Sequence, residues 1–362
     1  MLQHAAQYPV TTILILLALL TMAWFGYRQL FAGADSRHES HKGPAHATER
    51  TDGRSRRRNR ARKRDSRTSP DSTTAPALLS AAKSWGYQLQ DLDIGQATAS
   101  PFDMLVIDYA LDGDDDSALS PAQVARLKRK ADGGRRLCLA YLSVGEAESY
   151  RSYWRPEWKK HKPGWLLREN PDWQENYAVR FWHDGWQELI FGQRRAYLDK
   201  IIAQGFDGVY LDKCDVFEDL ERDYRKVAAE RKDLAGDMIG FVQRLAAYAR
   251  SKSPEFLLVM QNAEGLLRHA ALRTVLDGVA KEELSFGQDG GQRRNEDDDY
   301  QYARHHLGLM RSAGKPVFVV EYLSAKAKIK EAAALCDGLG FVLTISDPSR
   351  ELDRLGFDAA IV

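Results

Sequence analysis

The feature that most constrains the fold is a repeated unit: a short apolar run that turns polar at its C-terminal end. Residues 205–212 read Gly-Phe-Asp-Gly-Val-Tyr-Leu-Asp, a turn and a β-rich run closing on Asp212. Met104–Tyr109 ends in Asp108 and Tyr109, and Leu137–Ser143 runs into Gly145-Glu146. Leu257–Met260 leads to Gln261-Asn262, and Val279–Leu284 carries Glu282 and Glu283. Val317–Tyr322 carries Glu321, and Phe341–Ser346 runs into Asp347. Helix-like stretches separate these runs. The alternation predicts a (β/α)8 TIM barrel, in which polar groups at the C-terminal strand ends converge on one mouth.

Residues 76–362 suffice for one barrel of about 250 residues and leave no room for a second full domain. Residues 1–34 read as a signal-anchor or signal peptide. Their apolar, uncharged part, Tyr8–Tyr27, is long enough to span a bilayer. Met1–Gln7 holds no Lys or Arg, and Ala32-Gly33-Ala34 is a possible cleavage site beyond the apolar run. An uncleaved anchor is the favoured expectation. Residues 35–75 hold 12 Lys/Arg against 6 Asp/Glu and almost nothing that could form a core. They read as a basic disordered linker, either a solvated tether or a patch for anionic lipid or polysaccharide. The positive-inside rule would hold such a flank in the cytoplasm, but the main cluster starts at Arg54, where the rule weakens. We therefore expect the barrel on the extracytoplasmic side, or secreted if the segment is cleaved.

The net charge of +1 hides a split, because residues 76–362 hold 39 bases and 45 acids. Such a domain suits a neutral or cationic substrate better than nucleic acid, although mild acidity also simply aids solubility. Cys138, Cys214 and Cys336 are odd in number, widely spaced and without a metal or redox motif. Of nine histidines, four lie before residue 47. His161, His183, His269, His305 and His306 end no predicted core strand, so no metal site is expected. Phosphate-loop and nucleophile-elbow motifs are absent too.

The eight strands are expected at Trp85–Gln90, Met104–Tyr109, Arg136–Val144, Gly208–Asp212, Phe256–Asn262, Gly278–Leu284, Pro316–Leu323 and Gly340–Ser346. Ser120-Pro121 reads as an N-cap, with Val124, Leu127 and Ala131 on the helix face. Leu189, Ile190, Tyr197, Leu198, Ile201 and Ile202 read as one face of a single strong helix. Gly145–Gly185 is the least barrel-like part. With the adjoining Trp186 it holds six of the eight tryptophans: Trp154, Trp158, Trp165, Trp173, Trp182 and Trp186. Residues 176–182 are assigned to this insertion.

Glycoside hydrolysis needs two carboxyl groups flanking one bond. Asp212 and Glu282, at the ends of the fourth and sixth strands, are the candidate pair. Glu283 competes with Glu282, since neighbours on a strand point to opposite faces. Asp108, Tyr109, Tyr141, Glu146, Asn262 and Tyr322 are candidates for hydrogen-bonding sugar hydroxyls, and Trp154 for stacking on a sugar ring. Each position also has a plain structural reading, as cap, salt bridge or loop anchor.

Several stretches together resemble glycoside hydrolase family 114, the endo-α-1,4-polygalactosaminidases. They are Leu105–Tyr109, Ala140–Glu148 with Tyr150-Arg151 and Tyr153-Trp154, Asn170–Trp173, Gly205–Asp212, Gln261-Asn262, and Asp277-Gly278 leading into Glu282. The resemblance spans about 85–290. It implies a (β/α)8 barrel acting, without a cofactor, on a galactosamine-containing exopolysaccharide, which is cationic when partly deacetylated. It places the acidic pair on Asp212 and Glu282. By analogy with retaining α-galactosidase-like barrels, Asp212 is implied as nucleophile and Glu282 as acid/base. The alternatives are a hydrolase of another α-glycan and a non-catalytic polysaccharide-binding component.

Overall fold

The computed structural model describes residues 74–356. The candidate anchor, all but the end of the basic linker and the last six residues lie outside that range. Among the described residues, no helix is long and apolar enough to cross a membrane.

Among the described residues there are eleven strands, most of them separated by helices. Eight of them form one all-parallel sheet: β1 (Trp85–Gln88), β2 (Met104–Ile107), β3 (Leu137–Ser143), β7 (Gly208–Asp212), β8 (Leu257–Gln261), β9 (Gly278–Glu282), β10 (Val317–Tyr322) and β11 (Val342–Ser346), in that spatial order. β1 and β11 share no ladder of paired residues. The Trp85 indole bridges them by donating to the Val342 carbonyl at 3.0 Å. The segment after β11 completes the join: the Leu89 N–H donates to the Leu352 carbonyl at 2.8 Å, and the Gln88 amide to the Asp353 carbonyl at 2.9 Å. The expected strands thus all occur, each within two residues of its expected ends.

Side-chain alternation sorts the strands into two faces. Trp85, Tyr87, Met104, Val106, Leu139, Tyr141, Tyr210, Val259, Ala280, Phe318 and Val320 form one cluster, the barrel interior. Leu105, Ile107, Cys138, Ala140, Val209, Leu211, Leu258, Met260, Val279 and Val319 join the helices in the outer cluster. The interior is packed with aromatic rings. Tyr87 and Tyr210 sit 5.2 Å apart, and Trp85 and Phe318 5.8 Å apart, in tilted and edge-on arrangements.

Local signals place the connections. Asp93 caps the six-residue helix Ile94–Ala99 by accepting from the Gln96 N–H at 2.7 Å. Ser120 forms a full capping box with Gln123 at the start of helix Pro121–Leu127, a device worth about 1 kcal/mol. That helix stops at Leu127, so Ala131 lies beyond it and is exposed, while Val124 and Leu127 are buried. The single strong helix expected around residues 189–202 is in fact two, Asp184–Ile190 and Tyr197–Gln204. Phe191 is extended at φ −153°, and Gly192 takes φ +94°, which L side chains rarely adopt. The helical periodicity survives the break, because both halves pack on the same core.

The insertion after β3 builds its own antiparallel sheet: β4 (Glu146–Glu148), β5 (Leu166–Glu169) and β6 (Asn176–Val179), in the order β4-β6-β5. Residues 176–182 therefore belong to the insertion, as expected. Five rings form its core in a chain, Tyr177, Trp154, Trp158, Trp165 and Trp186, with successive centroids 4.8 to 5.5 Å apart. The Trp186 indole ties the chain to the barrel by donating to the Val144 carbonyl at 2.9 Å.

Candidate active site

The inward face of the strands runs through Tyr210 to Asp212, Val259 to Gln261, Ala280 to Glu282, and Val320 to Tyr322. Alternation alone therefore carries Asp212, Gln261, Glu282 and Tyr322 to the same mouth. These side chains are linked in a network. Asp212 Oδ2 accepts from the Tyr141 hydroxyl at 2.7 Å. Asp212 Oδ1 accepts from the Lys213 N–H at 2.7 Å and from Gln261 Nε2 at 3.1 Å. Glu282 Oε2 accepts from Gln261 Nε2 at 2.6 Å and Asn262 Nδ2 at 3.1 Å, and Oε1 accepts from the Tyr322 hydroxyl. Gln261 is itself oriented by the Tyr87 hydroxyl, which donates to its Oε1 at 3.1 Å.

One amide nitrogen thus touches both carboxyl groups. The oxygens of Asp212 and Glu282 that share it can be no further apart than its two contacts laid end to end, about 5.7 Å, a ceiling that admits the ~5–5.5 Å of retaining glycosidases and lies below the ~6.5–9.5 Å of inverting ones.

The backbone supports this placement in an unusual way. Lys213, Asn262 and Glu283, which directly follow Asp212, Gln261 and Glu282, take φ of +57°, +54° and +53°. Left-handed backbone at non-glycine residues carries strain, and here it recurs at three consecutive strand ends. Gly145 permits the approach on the β3 side, where a Cβ would lie 2.2 Å from the Lys213 carbonyl.

Burial pushes the Asp212 carboxyl up to about 7, helped by the charges of Glu282 and Asp215 and opposed by Lys213 and the Tyr141 hydroxyl. The sign for stability follows. A carboxyl whose folded pKa lies above its unfolded value costs the fold free energy when it ionises. That cost appears as pH rises above about 4 and is complete above about 7. Asp212→Asn removes it. We expect the melting temperature of Asp212→Asn, relative to wild type, to climb by a few degrees between about pH 4.5 and pH 8 in thermal scans. A difference that stays flat with pH would contradict the assignment.

The remaining candidates divide. Tyr141, Asn262 and Tyr322 contact the carboxyl pair directly. Glu283 turns aside into an ion pair with Arg350, with Arg350 Nε 2.9 Å from Glu283 Oε1. Asp108 faces inward, but Arg151 occupies it, with Nη1 2.7 Å from Oδ2. Tyr109 is one residue further and so faces the helices; its hydroxyl donates to Asp115 at 3.0 Å and its ring packs on Tyr197. Glu146 accepts from Asn170 at 2.9 Å and lies 3.7 Å from Lys213 Nζ, beside the pair without touching it. Trp154 is part of the insertion's aromatic core. Tyr109 and Trp154 thus do not reach the pair. Glu321 is fully buried on the outward face, accepting the N–H groups of Ser285 and Phe286, so it braces the loop after Glu282.

Gln261, read from the sequence only as a strand end and motif residue, and Tyr87 were not among the site candidates. The signal for Gln261 was its inward parity with Tyr210 and Ala280. Among the described residues, no cluster of His, Cys, Asp or Glu could hold a metal ion.

The profile of glycoside-hydrolase family GH114 matches residues 65–355. The chain belongs to family GH114. It is thus a member of a glycoside hydrolase family, and the family match runs through β10 and β11, further than the motifs themselves. The chain is 37% identical over 282 residues to an uncharacterized protein from Methanocaldococcus jannaschii, covering 75% of this chain and 77% of that one. It is 36% identical over 280 residues to an uncharacterized protein from Deinococcus radiodurans, covering 76% and 83%. Among solved structures, the glycoside hydrolase domain of PelA from Pseudomonas aeruginosa superposes with a TM-score of 0.56 at 22% identity, covering 76% of this chain and 98% of that domain. That likeness speaks to the barrel alone.

Proposed function

We propose that this GH114 member is an endo-acting, retaining glycosidase that cleaves α-1,4-linked galactosamine polymers with Asp212 as nucleophile and Glu282 as acid/base. The observation that carries this reading is the Gln261 nitrogen shared between the two carboxyl groups. Glu282 donates its proton to the glycosidic oxygen as Asp212 attacks the anomeric carbon, breaking the bond and leaving a glycosyl ester on Asp212. Glu282, now ionised, takes a proton from water, whose oxygen displaces Asp212 and restores both groups.

The donor pattern favours this division of labour. Asp212 accepts from a backbone N–H as well as from Tyr141 and Gln261, and Lys213 adds a positive charge nearby. When Glu282 is protonated, the main charge opposing ionisation of Asp212 disappears. Tyr141→Phe removes one donor from the carboxylate. We expect it to lower kcat/KM roughly tenfold and to move the acid limb of the pH–rate profile upward. An unshifted limb would argue against a charge-stabilising role for Tyr141.

The substrate class follows from the family resemblance together with the acidic balance of residues 76–362. The apolar segment Tyr8–Tyr27 supports a membrane-tethered protein, and an exopolysaccharide substrate calls for a barrel on the extracytoplasmic side. The test is incubation of the full chain with partly deacetylated α-1,4-galactosaminogalactan, with released fragments read by mass spectrometry and the anomer of the new reducing end by early-time NMR. Internal cleavage with the α-anomer appearing first is the expected result. A β-anomer first would end the retaining assignment, and no release from folded protein would end the substrate assignment.

A further inference from the structure

Few large hydrophobic side chains are open to solvent among the described residues: Leu111, Tyr150, Trp173 and Tyr302, with Trp173 the most exposed at 56%. Tyr302 lies on the outer helix Asp297–Ser312. The other three lie on loops leaving the C-terminal ends of β2 and β3, the face that carries the carboxyl pair.

These three loops are stitched together. The Tyr150 ring packs over Gly113, where a Cβ would come within 2.7 Å of its Cδ2. Ser149 joins the loop of Trp173, its N–H donating to the Glu175 carbonyl at 2.8 Å and its hydroxyl to Glu175 Oε1 at 3.1 Å. The Tyr150 ring is held on its other contacts too. Its hydroxyl donates to Glu148 at 2.7 Å, and the Arg151 guanidinium lies 4.9 Å from its centroid. The loop of Trp173 also reaches the site itself: Asn170 donates to Glu146, which faces Lys213, the neighbour of Asp212.

The Trp173 indole is more than half open, and its loop is hydrogen-bonded to that of Tyr150, whose ring is fixed through its hydroxyl. Rigid aromatic rings give large contact area at little entropic cost, and their faces suit the C–H faces of pyranose rings. A ring that bears an ammonium gains cation–π attraction as well. We propose that Trp173, on the loop bonded to that of Tyr150, anchors a remote subsite that stacks a pyranose of the galactosamine polymer away from the bond being cleaved. This inference rests on the glycosidase reading for its substrate. It explains how the enzyme would grip a chain internally rather than at an end.

The test uses the full chain carrying Asp212→Asn, run on native gels cast with partly deacetylated galactosaminogalactan. Parent, Trp173→Ala and Trp173→Phe forms are compared by retardation. We expect Trp173→Ala to weaken apparent affinity about five- to tenfold and Trp173→Phe to recover part of it. In the active enzyme, Trp173→Ala should raise KM more for long polymer than for short oligosaccharides. Retardation of the Ala form equal to the parent, or no retardation of the parent, overturns the subsite. Cleavage that persists while retardation ignores Trp173 removes the subsite and leaves the glycosidase. Retardation that depends on Trp173 without cleavage by wild type removes the glycosidase and leaves the subsite.

Discussion

Asp212→Asn and Glu282→Gln should each yield folded protein whose turnover is reduced roughly 10⁴-fold. Both changes are nearly isosteric, and the hydrogen-bond network tolerates them. In Asp212→Asn the amide oxygen can take the Oδ1 position, keeping the Lys213 and Gln261 donors, while its NH2 faces the Tyr141 hydroxyl, which then accepts. In Glu282→Gln the oxygen keeps Gln261 and Asn262, and the NH2 faces Tyr322. Loss of rate then reports chemistry and not collapse. Azide separates the two roles. With Glu282→Ala, azide should replace water at the glycosyl ester and give a glycosyl azide of retained configuration. With Asp212→Ala, it should attack directly and give the inverted product. Full activity in either folded amide variant, checked by circular dichroism, would sink the assignment.

The second large effect concerns stability. Arg151 is buried between two buried acids, with Nη1 2.7 Å from Asp108 and Nε 2.7 Å from Glu148. One cation serves two carboxyl groups, and burial still holds the Asp108 carboxyl above its ordinary range. The Arg151 guanidinium also lies 4.9 to 6.0 Å from the centroids of four tyrosine rings, among them Tyr141 and Tyr150. Arg151→Met leaves two buried acids without a counter-charge. Removing one partner of such a pair costs about 3–5 kcal/mol, and we expect a fall in melting temperature on the order of 10 °C. The triple variant Arg151→Met, Asp108→Asn, Glu148→Gln should regain part of that loss. A melting temperature within a degree or two of wild type for Arg151→Met alone would show that the cluster contributes little. Because β4 enters the insertion through Glu148, this cluster fastens the insertion to the end of β2.

Much of this arrangement was legible in the chain. Parallel strands buried on both faces read as unbroken apolar runs, so eight of them stood out with their ends nearly right. Alternation then settles what spacing left open: Glu282 points inward because Ala280 does, and Glu283 must point away. The same rule turns Tyr109 toward the helices, a consequence that follows only once strand β2 is known to stop at Ile107 and keep its phase. Other features were out of reach. The break at Gly192 interrupts a helical pattern without disturbing its periodicity. The insertion's tryptophans look alike in sequence, yet Trp154 is enclosed by Trp158 and Tyr177 while Trp173 stands open. Gln261 gained its place only when two carboxyl groups, 70 residues apart in the chain, closed on either side of it.

The join between β1 and β11 bears on how this barrel breathes. The Trp85 side chain and a few bonds to the segment after β11 close it where the other strands share ladders, so amides flanking the join should exchange with solvent sooner than those of the other strands. Counting around the sheet, β7, β8 and β9 occupy the fourth to sixth places, on the far side from that join. The least bonded line of the cylinder and its most exacting geometry are thus on opposite sides, so loosening between β1 and β11 would leave the strands that hold the carboxyl groups paired.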